Sequence, residues 1–194
     1  MAKKLKAFFI FLAIILACYF LIKFFPTEAL KVPSEFKEAK YQASSLAQEI
    51  VEFSKDLTNN LEEINRLDSE KKYAEAINLL AQATERNQEV REKAVKLSEA
   101  LSKMALAVPK ISPTSASQIA LQAISSETTL ISRLITYNDY LNQLLEEFRL
   151  KLLGKSVGDH KVQELISKIN EEVRAINELN SKFNSLMKRF DGDR

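Results

Sequence analysis

Residues 66–76 read RLDSEKKYAEA. One apolar seven-residue repeat ends in this stretch at Leu67, and a second, out of phase with the first, begins in it at Tyr73. If the chain turns here, the second stripe folds back on the first and a bundle results. If it runs straight on, the same residues become a stammer in one long coiled coil. No Gly or Pro enforces a turn, yet Asp68 and Ser69 can each cap a new helix. We take the stretch as a hairpin, with the stammer as its alternative.

Upstream, Phe36, Ala43, Ile50, Leu57 and Ile64 occupy one heptad position, and Ala39, Leu46, Phe53, Asn60 and Leu67 the other. Nine of these ten are apolar, which is the pattern of a helix with one buried seam. Continuing that register would place Lys71 and Asn78 in the seam. The second stripe instead runs Tyr73, Ala76, Leu80, Ala83, Asn87, Val90, Ala94, Leu97, Leu101, Met104 and Val108.

Pro109 and Pro113 then break the pattern, and Ser115 with Gln118 matches a capping box. A third stripe follows through Ala116, Ala120, Ala123, Leu130, Leu134, Tyr137, Leu141, Leu144 and Phe148, interrupted by Glu127. Ile124, Ile131, Ile135, Leu145 and Leu152 widen that face, which implies burial against more than one neighbour. Gly154 suits the residue after a helix end, and Asp159 can cap a fourth helix. Its stripe is Val162, Ile166, Ile169, Val173, Ile176, Asn180, Phe183, Met187 and Phe190, flanked by Leu165, Leu179 and Leu186.

Helices are therefore expected over about 34–67, 72–108, 115–153 and 159–191. Near-equal lengths and short connections favour an antiparallel, up-down four-helix bundle or coiled-coil rod within 34–191, an all-α fold. Each wholly buried Leu, Ile or Phe stabilises such a rod by roughly 1.5–3 kcal/mol. The single cysteine, Cys18, precludes an intramolecular disulfide.

The N-terminus reads differently. Residues 1–6 form a basic flank, and residues 7–25 (AFFIFLAIILACYFLIKFF) are apolar apart from Lys23. Nineteen helical residues span roughly 28 Å, close to the ~30 Å hydrocarbon core. Phe8, Phe9, Ile10, Phe11, Leu12, Ile14, Ile15, Leu16, Tyr19, Phe20, Leu21 and Ile22 are the expected lipid-facing anchor residues. Pro26 opens a linker over 26–33. Lys3, Lys4 and Lys6 before the run favour a cytoplasmic N-terminus and a bundle outside the cytoplasm.

Two rivals to an uncleaved anchor are a cleaved leader and a lipoprotein modified at Cys18. The apolar run continues past any cleavage site, and Ile15-Leu16-Ala17 matches a small-x-small site poorly. Tyr19-Phe20-Leu21-Ile22 is not the polar tether that follows a lipidated cysteine. None of the Asn residues begins an N-x-[ST] sequon, which favours a bacterial envelope over a secretory lumen.

The chain carries 28 basic and 26 acidic side chains. Five of the basic residues and only Glu28 of the acids precede residue 34, so the body holds 23 against 25. A mixed, near-neutral body offers no electrostatic case for nucleic acid. Chemistry is equally sparse. His160 is the only histidine, and no zinc, P-loop, nucleophile-elbow or di-iron signature occurs. The paired acids Glu62-Glu63, Glu146-Glu147 and Glu171-Glu172 fall between stripe positions and read as solvated faces. The chain is expected not to be an enzyme and to need no cofactor or metal.

Asn60, Asn87, Glu127 and Asn180 interrupt the stripes and are expected to be buried polar positions that fix register. ITYNDYLNQLLEEF (135–148) resembles the Tyr-Asn motif of LemA-type membrane-anchored helical proteins over this one helix. The polar motif those proteins carry after their first helix is missing and a further long helix follows, so no family is assigned. Tyr137 and Leu141 read as core, with Asn138, Asp139 and Asn142 solvated.

Three functions compete. The leading one is a scaffold or interaction module tied to the bilayer through residues 7–25, with a protein partner or a second copy. A sensory or ligand-binding bundle is the alternative, which would need a partner because the longest later apolar run is MALAV (104–108). A membrane-surface binder ranks last, since the polar faces lack Lys/Arg bias.

Overall fold

Four long helices account for the body: α1 (Ser34–Ser69), α2 (Tyr73–Ala107), α3 (Thr114–Leu152) and α4 (Asp159–Gly192), with one 3-10 turn at Val108–Lys110. The computed structural model describes residues 30–155 and 158–192. The expected anchor, residues 7–25, lies outside them, as does Cys18. Among the described residues no helix is long and apolar enough to cross a membrane. The helices contain 36, 35, 39 and 34 residues, so each is on the order of 50–60 Å long.

The turn that decides the fold is closed by backbone hydrogen bonds. The Lys72 N–H donates to Leu67 O at 2.9 Å, and the Lys71 N–H to Asp68 O at 3.0 Å. Lys71 takes φ 59°, the left-handed value this helix-ending motif requires. The motif recurs after α3, where Lys155 N–H donates to Leu150 O at 3.0 Å and Gly154 to Lys151 O at 2.9 Å. There the left-handed residue is Gly154, φ 74°.

The side-chain caps expected for α2 and α3 do not form. Lys72 and Pro113 stand at the starts of α2 and α3, and neither helix start carries a side-chain cap bond. Asp68 instead pairs with Lys151 of α3 at 2.5 Å. Pro113 already fixes its own φ for entry into α3, and Ser117 Oγ donates to Thr114 O at 2.9 Å. At the same end of the bundle Lys31 and Ser112 exchange backbone hydrogen bonds of 2.8 and 3.2 Å. That pair ties the segment before α1 to the α2–α3 connection.

Neighbours in sequence pack as antiparallel neighbours in space: α1 on α2, α2 on α3, α3 on α4. Between α1 and α4, Phe36 and Phe190 stack with ring centroids 5.7 Å apart and Lys40 pairs with Asp191 at 3.2 Å. These contacts join α1 and α4 at the end where the chain enters.

The core divides in two. The larger cluster lies toward that end and is rich in small residues, among them Ala39, Ala43, Ala94, Ala116, Ala120 and Ala123. Alanine seams let helix axes approach closely, so Leu97, Leu101, Met104 and Phe36 can interlock between them. The smaller cluster, around Leu57, Ile64, Leu80, Leu141, Leu145 and Leu165, fills the other end.

Helix α4 departs from the expected stripe. Met187 and Phe190 of that stripe are buried as expected, but the other buried residues are Leu165, Glu172 and Leu186, with Leu179 half-buried between the last two. Ile166 and Val173, expected in the seam, are 43% and 38% exposed. Both rows satisfy a helical period, and over the middle of α4 the row rich in Leu is the one turned inward. Asn180 consequently lies on the exposed side, where it accepts a hydrogen bond from Asn184 at 3.1 Å.

Candidate functional site

Between the two apolar clusters lies a layer of amides. Asn87 on α2 and Asn138 on α3 are both 0% exposed. Asn87 Nδ2 donates to Asn138 O at 2.9 Å and to Asn142 Oδ1 at 2.8 Å. Asn87 Oδ1 and both side-chain polar atoms of Asn138 have no hydrogen-bond partner. Amides neither titrate nor attack near neutral pH, so this layer can fix alignment or hold a small polar guest but not perform acid–base work.

Of the four expected register positions, Asn87 and Glu127 are buried, Asn60 is half-buried and Asn180 is exposed. They do not converge. Glu127 lies three turns along α3 from Asn138, and no hydrogen bond reaches its Oε2. Burial pushes its carboxyl up to about 7. Burial likewise raises the Tyr137 phenol.

The acidic pairs resolve unequally. Glu63 and Glu146 are surface groups held by Arg66 at 2.5 Å and Arg149 at 2.7 Å, and both carboxyls titrate below their usual range because of those hydrogen bonds. Glu147 and Glu172 are buried, contrary to expectation. Lys161 pairs with Glu147, and Arg133 with Glu172 at 3.3 Å, so each carboxylate meets a cation reaching in from the neighbouring helix.

The sequence reading also missed Asn138. The signal was present in both cases. Asn138 sits in the seven-residue row Ile124, Ile131, Leu145, Leu152, and Glu172 in the row Leu165, Leu179, Leu186. A polar residue in an otherwise apolar heptad row is carried inward with it.

An apolar groove lies elsewhere, between the far ends of α1 and α3. It encloses about 380 Å³ between Leu61, Ile64, Leu144, Phe148 and Leu152, with Glu62, Asn65, Asp68 and Lys151 at its rim. That volume suits a small ligand, yet no histidine or buried carboxylate lines it. His160 is exposed. Among the described residues no group of three His, Cys, Asp or Glu side chains is placed to hold a metal ion. What the arrangement offers is a long, mixed-charge surface on a tightly aligned bundle.

Comparison with known protein families, curated proteins and solved structures finds no match to this chain.

Proposed function

We propose that the chain is a single-pass membrane protein whose helical bundle stands outside the cytoplasm as a scaffold or interaction module. One observation carries the reading. The apolar run at 7–25 is followed by a bundle whose entry strand is pinned, through Lys31 and Ser112, to the α2–α3 connection. Residues 26–30 span at most about 17 Å when extended. A bundle so tethered is held beside the bilayer by the end that joins α2 to α3 and presents its other end some 50 Å away. The bacterial envelope is the favoured setting.

Crosslinking of the full chain in the membranes of producing cells, read by mass spectrometry, tests the interaction role. The reading expects discrete adducts to a second copy or to a defined partner through surface lysines of α1–α4. Uncrosslinked monomer alone would count against it. The alternative, a ligand-binding bundle that signals through a partner, draws its support from the groove at Leu61, Leu144 and Phe148. A rise in melting temperature with one small apolar compound, lost in Leu144→Asp, would favour it.

A further inference from the structure

Glu127 combines two features that meet nowhere else among the described residues. It is a carboxyl 7% exposed within the apolar face of α3 and without a cation partner. It also lies level with a lightly packed part of α4. Ser126 Oγ donates to Leu179 O at 3.4 Å, which sets α4 residue 179 beside it. From Val173 to Ser185 no residue of α4 is fully buried. From these observations we propose that Glu127 is a proton-operated latch: protonated, it lets α4 close on α3, and ionised, it releases the 173–185 segment.

The other walls leave the charge no compensation. The contacts Asn87–Asn138 and Lys93–Glu49 set the registers of α2 against α3 and α1 against α2. Three turns on, they bring Leu97 and Leu101 of α2 and Ala43 and Ala47 of α1 level with Glu127, all within one apolar cluster. The charged groups nearest that level are engaged or point outward. On α1, Lys40 is bound to Asp191 and Glu49 to Lys93. On α2, Lys96, Glu99 and Lys103 are exposed, and on α4 Arg174, Glu178 and Lys182 are exposed. On α3 itself Arg133 is taken by Glu172.

An unpaired carboxylate in such surroundings must either take up a proton or gain water. Opening the lightly packed stretch of α4 at this level would admit that water. Burial alone sets the titration near neutrality, at about 7, with no opposing charge to lower it.

Hydrogen exchange of the full chain in detergent, corrected for the intrinsic pH dependence of exchange, tests this. Between pH 5.5 and 8.5 the opening equilibrium of peptides within 173–185 should rise about thirtyfold, the ratio fixed by a carboxyl of 4.5 when open and about 7 when closed. Glu127→Gln should hold these peptides at their low-pH protection throughout. Glu172→Gln, which removes a buried carboxyl that has a cation partner, should leave the step in place. A wild-type chain with equal protection at both pH values would overturn the proposal. So would a step that survives Glu127→Gln, or one that disappears in Glu172→Gln.

Discussion

Glu127 and Asn138 are each a single polar side chain in an apolar row, and their consequences differ because only one of them ionises. For Glu127 the native carboxyl titrates at about 7 against an ordinary 4.5. The native state therefore binds a proton that the unfolded chain releases between those values. Its stability is full below about pH 4.5 and falls as pH rises to about 7. Glu127→Gln should raise unfolding stability by on the order of 3 kcal/mol at pH 8 and leave it nearly unchanged at pH 4. Denaturant titrations at the two pH values check this, and an equal effect at both would refute the assignment.

For the amide layer the effect is independent of pH. Asn87 and Asn138 leave three polar atoms without partners in the core, each costing about 1–3 kcal/mol. Replacing both with Leu should raise stability by about 2 kcal/mol or more, at the expense of the marker that aligns α2 with α3. A lowered melting temperature would show instead that the layer is satisfied by something bound within it.

The existence and approximate limits of all four helices were legible in their apolar periods. Their caps and rotations were less so. The α1–α2 turn carried no Gly because Lys71 adopts the left-handed conformation that Gly154 adopts after α3. The motif is made by backbone hydrogen bonds, so it leaves little trace in side-chain identity. A Gly would fit this position without strain, so Lys71→Gly should stabilise by about 1 kcal/mol, and Gly154→Ala should destabilise by a similar amount. Thermal melts of the two variants should move in opposite directions.

The rotation of α4 was ambiguous because two rows of its residues share a helical period, and the choice depends on what α3 presents. It is testable side chain by side chain. Leu165→Ala should cost roughly 3 kcal/mol and Ile166→Ala under about 1 kcal/mol. The reverse order would restore the stripe read from the sequence.

At the scale of the whole molecule, the described residues form a bundle of two hairpins. The α1–α2 and α3–α4 pairs join along α2 and α3, and α1 and α4 meet at the entry end through Phe36 and Phe190. The near balance of charge in the body was legible from composition. The cations that meet the buried Glu147 and Glu172 were not, because Lys161 and Arg133 come from helices whose register only the fold defines.

The central claim is that this bundle is carried by an uncleaved span at residues 7–25. It is tested most directly by the intact mass of the full chain extracted from membranes, with protease added to sealed membranes from the side opposite the cytoplasm. The account predicts a mass that includes residues 1–29 and loss of residues 34–194 to external protease. A shorter chain in the soluble fraction, or a mass beginning at Cys18 with added acyl groups, would contradict it.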